Sequence, residues 1–112
     1  MNKIERRMRR KRGIRKKIFG TNTKPRITVF KSNRHIYVQA VDDQLGRTLA
    51  HSSDVLAGSK RSKEGAVEVG GKLAVMLLGK EIKQAVFDRN GYLYHGLVKS
   101  VADGIRKGGV KV

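Results

Sequence analysis

Apolar and polar residues alternate along three consecutive stretches of the chain, starting at Arg26 and ending at Ser52. Alternation with a period of two is typical of strands that place one face against a core. The turn sequences Ser32-Asn33 and Asp42–Gly46 separate the stretches and are short enough for hairpins. We therefore predict an antiparallel meander of three strands, over residues 26–30, 35–41 and 47–52.

Further along the chain, apolar positions recur with the helical period over residues 62–79. Ser62 is suited to cap the start of this helix, Glu64 favours its first turn, and Gly79 is suited to end it at the C′ position. We interpret Gly70 or Gly71 as permitting a close approach between this helix and the sheet.

A short, wholly apolar run over residues 85–87 predicts a buried fourth strand. The clearest helical pattern follows the polar turn Asp88–Gly91, with apolar residues at positions 94, 97, 98, 101, 102 and 105. This spacing predicts a second helix that includes Tyr94 and ends at Gly108.

The predicted element order is βββαβα behind a basic N-terminal segment. Because a strand–helix–strand connection within one sheet is right-handed, we expect the fourth strand to lie parallel to the first and beside it. The predicted fold class is α/β (α+β), with a mixed four-stranded sheet in the order 3-2-1-4 and two helices on one face. This order brings the turn Lys31–His35 next to the loop Asp88–Tyr92.

Basic residues are concentrated at the start of the chain. The first 17 residues carry ten Lys or Arg and a single acid, Glu5, and the first 35 carry +13 of the net charge of +17. Like charges at this density repel one another unless they are solvated or lie against a polyanion. Solubility alone does not require such a concentration, so the charge indicates a nucleic-acid-binding protein.

The length of 112 residues accommodates one domain and an arm. We divide the chain into a basic arm, residues 1–20, and a globular body, residues 21–112, with Gly20–Lys24 as a linker. The arm could form a helix over residues 3–18, and we expect it to be frayed or disordered without phosphate. The chain has no cysteine and no run of about 20 apolar residues that would cross a membrane, so we expect a soluble cytoplasmic protein.

Cations, amides and aromatic rings occur together in the two segments that the predicted topology brings side by side. Guanidinium and ammonium groups bind phosphate and planar rings stack on unpaired bases, so this mixture is typical of RNA recognition. The candidate RNA-binding residues of the body are Arg26, Lys31, Ser32, Asn33, Arg34, His35, Tyr37, Arg89, Asn90, Tyr92, Tyr94 and His95. Those of the arm are Lys3, Arg6, Arg7, Arg9, Arg10, Lys11, Arg12, Arg15, Lys16 and Lys17.

Carboxylates and histidines also supply the residue types of a two-metal nuclease, and the predicted topology is similar to that of ribonuclease H. Such enzymes need carboxylates that converge from strand interiors, whereas we expect Asp42 and Asp43 at the opposite end of the sheet from Asp88. The histidines are not spaced as metal ligands, and no phosphate-binding glycine loop is present. We therefore expect no catalytic residues, no metal and no cofactor, with Asp88 capping its loop or orienting Arg89.

Two other binding classes remain open. A histone-like protein that packages DNA would carry similar charge and would bind duplex DNA as tightly as RNA, although the clustered tyrosines argue against it. A peptide that binds membrane surfaces is a still weaker alternative, because the arm lacks a wide apolar face.

Two segments, PRITVFKSNRHIYVQAVDD over residues 25–43 and AVFDRNGYLYHGLVKSVADGIRKGG over residues 85–109, closely resemble the bacterial family of large-subunit ribosomal protein eighteen. The opening KIERRMRRKRGIRKK resembles the basic arm of that family, and TLAHSSD with the helix at 62–79 matches its middle. The resemblance covers essentially the whole chain. One departure is Leu97, which stands where the family pattern has a basic residue after YHG.

The resemblance implies a small α/β body, a basic arm that becomes ordered on RNA, and no catalytic activity. It also implies a structural constituent of the large ribosomal subunit that binds 5S rRNA and helps attach it to 23S rRNA in the central protuberance. The implied partners are 5S rRNA, 23S rRNA and neighbouring ribosomal proteins. A membrane, a small-molecule substrate and a second copy of the chain are not expected as partners.

Overall fold

The three alternating stretches of the sequence, together with the short apolar run near residue 86, form a four-stranded sheet. In the computed structural model, which describes residues 2–112, the strands are β1 (Arg26–Lys31), β2 (Ile36–Asp42), β3 (Arg47–Ser53) and β4 (Val86–Asp88). They lie in the order β3-β2-β1-β4, with β2 antiparallel to both of its neighbours and β4 parallel to β1. The predicted fold class and strand order are confirmed.

The pairing of β2 with β3 contains a β-bulge. Ala40 pairs with Ala50, but the next residue, Val41, pairs with Thr48, so Leu49 stands between two pairs without a partner of its own. Because β3 is an outer strand of the sheet, the bulge lies at the sheet edge, where bulges are frequent.

Two of the four helices within residues 2–112 cover one face of the sheet. The helices are α1 (Lys3–Arg15), α2 (Asp54–Ala57), α3 (Lys63–Gly79) and α4 (Leu97–Lys107). Side chains of α3 and α4 meet alternate side chains of β1 and β2 in a single core. Its fully buried members include Ile27, Val29, Ile36, Val69, Leu73, Leu77, Val98, Val101 and Ile105. The opposite face of the sheet is therefore left to polar and aromatic side chains.

The close approach expected near Gly70 and Gly71 joins the two helices and not a helix and the sheet. A Cβ atom on Gly70 would lie 2.2 Å from the carbonyl oxygen of Val101 in α4, and one on Gly104 would lie 2.2 Å from that of Val67 in α3. A Cβ atom on Gly71 would have no described neighbour within 4 Å. Only Gly70 of the pair therefore permits the contact.

α3 begins at the predicted cap, but Gly79 is its last helical residue and Lys80 is the C-cap, so Gly79 does not occupy the C′ position. α4 is shorter than its apolar spacing indicates. Ser62 caps α3 by accepting a hydrogen bond from the N–H of Gly65 at 3.0 Å. α4 begins at Leu97. The preceding residue, Gly96, has a φ of 57° and therefore cannot be part of a right-handed helix. Tyr94 is therefore outside the helix. The short helix α2 has no counterpart among the predicted elements.

The arm contains a regular helix, α1, over most of the range predicted for it, although fraying or disorder was expected without phosphate. Asn2 caps its start by accepting a hydrogen bond from the N–H of Glu5 at 2.8 Å. The predicted linker is also held in place: the N–H of Gly20 donates to Asp43 at 2.8 Å, and the N–H of Asp43 donates to the Gly20 carbonyl at 2.9 Å. These bonds tie the end of the arm to the turn that follows β2.

Candidate nucleic-acid interface

The turn Lys31–His35 and the loop Asp88–Tyr92 meet at one edge of the sheet, as the strand order predicts. The Tyr92 hydroxyl donates to the carbonyl of Lys31 at 3.2 Å and accepts from its N–H at 3.3 Å. The side-chain amide of Asn90 donates to the carbonyl of Val29 at 3.0 Å. These bonds join the two segments into one surface, named the loop platform below.

α1 lies on the loop platform. Arg7 Nε donates to the carbonyl of Asn90 at 3.2 Å, and Arg10 Nε donates to the carbonyl of Gly91 at 2.8 Å. The Arg7 guanidinium also lies over the Tyr92 ring, 4.1 Å from its centroid, in a cation–π contact. Gly91 permits this docking, because a Cβ atom there would lie 2.4 Å from the carbonyl oxygen of Arg7.

Most cations of the arm remain at the surface when α1 is docked. Arg7, Arg10 and Lys11 are half-buried by the contact. The exposed cations are Lys3, Arg6, Arg9, Arg12, Arg15, Lys16 and Lys17. Because α1 contains a single acid, Glu5, the arm adds an almost unbroken positive surface to the platform. Such a surface binds nucleic-acid phosphates by releasing their counterions.

The turn Ser32–His35 is folded by its own polar groups. The N–H of Ser32 donates to the His35 carbonyl at 2.9 Å, and the Ser32 hydroxyl accepts from the N–H of His35 at 3.1 Å. His35 Nδ1 lies 3.0 Å from a carboxylate oxygen of Asp54 in α2. Burial tends to raise the pKa of Asp54, but hydrogen bonds from His35 and a backbone N–H outweigh it and lower the pKa. Asn33 and Arg34 are exposed at the tip of the turn.

Arg26 is placed differently from the prediction that it binds RNA. Its side chain is 6% exposed, and its guanidinium donates to Asp43 at 2.9 Å and to Asp88 at 2.8 Å. Burial tends to lower the pKa of Arg26, but hydrogen bonds to the two carboxylates and their charges raise it above the ordinary value. The side chain is thus a structural cation of the sheet, enclosed by its partners.

The same contacts correct the expected positions of the carboxylates. Asp43 and Asp88, predicted at opposite ends of the sheet, converge on Arg26, because the strands that precede and contain them flank Arg26 on both sides. Asp88 also accepts from the N–H of Asn90 at 2.8 Å and so caps the loop, as predicted. Residues 2–112 contain no cluster of three or more side chains that could hold a metal ion.

The side chains of Asn90 and Arg89 form hydrogen bonds within the protein. Asn90 is 7% exposed, and its amide is engaged by β1, so it positions the loop. Arg89 is half-buried and donates from Nη1 to the Tyr92 carbonyl at 2.9 Å, so it is not oriented by Asp88. The loop nevertheless keeps cations close to an aromatic ring, because Lys31 Nζ lies 5.2 Å from the Tyr92 centroid.

Tyr94 and His95 lie away from these contacts. The Tyr94 ring packs edge-on against Phe87 with 6.1 Å between centroids, and its hydroxyl accepts from Arg106 at 2.8 Å. These are contacts with β4 and α4, so the Tyr94 side chain has a packing role within the body. His95 is exposed beside it.

A cleft of about 710 Å³ lies between α1 and the open face of the sheet, meaning the face opposite α3 and α4. Lys11 and Arg15 line it from the arm. Its floor consists of strand side chains that include Thr28, Phe30, Tyr37, Gln39 and His51. Of these five side chains, only Tyr37 is predicted from the sequence to bind RNA. A signal was present, because Phe30 and Tyr37 are large rings at strand positions that alternate with the core residues.

The chain is similar to known proteins over nearly its whole length. The family model for ribosomal L18 of archaea, bacteria, mitochondria and chloroplast matches residues 1–112. The relatives include large ribosomal subunit protein uL18 of Nitratiruptor sp., 50% identical over 94% of this chain and 89% of that protein. The uL18 protein of Nitratidesulfovibrio vulgaris is 49% identical, covering 99% of this chain and 98% of its own length. That of Treponema denticola is 50% identical, with coverage of 98% and 94%.

These matches confirm the resemblance seen in the sequence. They extend from the basic arm to the last helix, and the relatives are named as ribosomal proteins and not as enzymes. None of the helices within residues 2–112 is long and apolar enough to span a membrane. The chain belongs to the ribosomal L18 family, and the relatives named above are large ribosomal subunit proteins uL18.

Proposed function

We propose that this structural protein of the large ribosomal subunit binds 5S rRNA and helps attach it to 23S rRNA in the central protuberance. The observation that carries the proposal is the docking of α1 on the loop platform, which combines the arm cations with the platform residues in one positive surface. Family membership supports a ribosomal role, and the surface supports an RNA partner with phosphates and unpaired bases.

In this proposal the chain has two functional parts. The basic arm, residues 1–20, supplies most of the affinity through phosphate contacts, and the body, residues 21–112, supplies most of the specificity. The division follows from charge: the first 35 residues hold +13 of the +17. Phosphate contacts position a protein on nucleic acid without reading its sequence, whereas contacts with bases and shape distinguish one RNA from another.

Competition binding tests the partner. Labelled 5S rRNA bound to the protein is challenged with unlabelled 5S rRNA, with an unrelated structured RNA and with duplex DNA of equal length. We expect 5S rRNA to compete at the lowest concentration. Equal competition by duplex DNA would contradict the proposal and favour the histone-like alternative.

Two substitutions test the role of the loop platform. Arg34→Ala and Arg89→Ala should each weaken 5S rRNA binding by an amount equivalent to about 1.5–3 kcal/mol if each makes a charge-assisted phosphate contact. Because both loops would contact neighbouring parts of one RNA, the double variant should depart from additivity by more than about 0.5 kcal/mol. Filter binding measures the affinities, and thermal melts check the folding.

Matched controls come from exposed cations away from the platform. Arg47→Ala on β3 and Lys107→Ala on α4 remove the same charge from other parts of the body. They should weaken binding much less than the platform variants. Equal losses at all four positions would mean that the body acts only as a diffuse cation and that recognition is confined to the arm.

A further inference from the structure

The cleft between α1 and the open face of the sheet has a floor that is unusual for a solvent-facing surface. Phe30 is 47% exposed and Tyr37 is 43% exposed, although each follows a strand residue that is fully buried in the core. The two are cross-strand partners on β1 and β2, with 6.1 Å between their ring centroids. His35 continues the row, 6.1 Å from Tyr37. Three planar side chains thus lie side by side, and two of them, Phe30 and Tyr37, line the cleft.

The wall of the cleft carries positive charge. Lys11 and Arg15 line it from α1. Arg15 lies 3.8 Å from Asp88, while its side chain keeps 42% of its surface exposed. An occupant of this cleft therefore meets flat rings on one side and cations on the other. The polar groups of Gln39 and His51 also line the floor and can hydrogen bond to an edge of the occupant.

We infer that this cleft holds an unpaired base of the bound RNA, stacked on Phe30 and Tyr37, with its phosphate held by Lys11 and Arg15. A nucleotide combines a flat aromatic face, polar edges and a negative charge, and the cleft offers the complement of each. Stacking on exposed aromatic residues beside a cationic groove is the general way in which proteins bind single-stranded nucleic acid. The inference rests on the proposed function and names the feature of the RNA that the open face recognises.

Removing the rings while keeping apolar bulk tests the inference. Phe30→Leu and Tyr37→Leu should each weaken binding to 5S rRNA roughly 5- to 100-fold, the range found when a stacking residue is replaced. Tyr37→Phe keeps the ring and should bind within about twofold of the unaltered protein. Val75→Ala, on an apolar residue of α3 that is 66% exposed, is the control away from the cleft and should have no effect.

The salt dependence of the affinity separates stacking from charge. Each lost phosphate contact reduces the slope of log affinity against log salt by about one, whereas a lost stack leaves the slope unchanged. We therefore expect the two leucine variants to bind more weakly at every salt concentration with the original slope. A reduced slope would show that these variants had lost phosphate contacts instead, and would overturn the inference.

Two further RNA probes keep this test independent of the proposed partner. The leucine variants should lose affinity for a single-stranded oligouridylate but retain it for duplex RNA of equal length, since paired bases are not available for stacking. Unchanged affinity for the single strand and for 5S rRNA would overturn the inference and leave the cleft to a protein neighbour. Failure of the unaltered protein to prefer 5S rRNA would contradict the proposed function alone, because the single-strand probe still reports on the cleft.

Discussion

Arg26 joins three parts of the chain that are distant in sequence. Its two carboxylate partners stand 17 and 62 positions away, and both side chains are largely buried with it. Replacing Arg26 by Met would leave Asp43 without its hydrogen-bonded cation and Asp88 with only the more distant Arg15, 3.8 Å away. Breaking a buried ion pair by removing one partner typically costs about 3–5 kcal/mol, so Arg26→Met should lower the free energy of unfolding by about that amount. Urea unfolding measures the effect.

The control for this prediction is Arg47→Met, which removes an exposed cation from β3 and should change stability by no more than about 0.5 kcal/mol. If Arg26→Met instead weakened RNA binding and left the unfolding free energy unchanged, Arg26 would be a phosphate ligand. The sequence alone favoured that role, because a basic residue next to a basic arm gives no local sign of burial. Its long-range partners become visible only when the strands are placed.

Asp43 makes the stability of the sheet depend on pH. The hydrogen bond from Arg26 lowers the pKa of this carboxyl below its ordinary 3.8, and a backbone N–H acts in the same direction. A carboxyl with a lowered folded-state pKa stabilises the protein fully above its unfolded-state pKa and loses that contribution as the pH falls through the folded-state value. The free energy of unfolding should therefore fall below about pH 4.

Asp43→Asn tests this pH dependence. The variant should be less stable at pH 7 and should lose less stability on acidification, since one linked carboxyl is gone. Urea midpoints at several pH values down to about 3 give the comparison. Asp54, whose pKa is lowered in the same way, remains in the variant and should preserve part of the acid sensitivity. An unchanged acid profile would contradict the role given to Asp43.

At the scale of the elements, the crossing of α3 and α4 depends on glycines. Alanine at position 70 would place a methyl group against the backbone of α4, whereas alanine at position 71 would face open space. Gly70→Ala should therefore destabilise the protein by about 1–3 kcal/mol through overpacking. Gly71→Ala should be neutral or stabilising by up to about 1 kcal/mol, because alanine favours the helix. Thermal unfolding of both variants gives the answer, and equal effects would disprove the close crossing.

Elements with a sustained period were predictable from the sequence. The three-strand meander and α3 have the predicted positions within a residue or two, because alternation and helical spacing reflect which side chains meet the core. The start of α4 was not predictable from spacing, since Tyr94 fits the apolar period while the left-handed Gly96 ends the helix before it. The docking of α1 was also not predictable from the sequence, because it depends on carbonyls of a loop more than 80 residues away and on the lack of a side chain at Gly91.

For the whole molecule, the distribution of charge predicts how RNA binding responds to salt. If the intact protein makes roughly 6–10 phosphate contacts, its affinity should fall about a thousandfold or more between about 50 and 200 mM salt. Deleting residues 2–17 removes ten cations but keeps Gly20 and its bonds to Asp43. The truncated protein should bind more weakly with a much flatter salt dependence, and it should still prefer 5S rRNA over unrelated RNA. An unchanged slope would contradict the assignment of affinity to the arm.

The bulge at Leu49 has a consequence for the molecule before it reaches a ribosome. A regular outer strand offers a row of free backbone groups to which another chain can add, and this is a common origin of aggregation. On β3 the bulge interrupts the regular row of backbone groups, and Arg47 puts a charge at one end of the strand. We therefore expect newly synthesised molecules to stay monomeric before they bind RNA, since the β3 edge along which two copies could pair is irregular and charged.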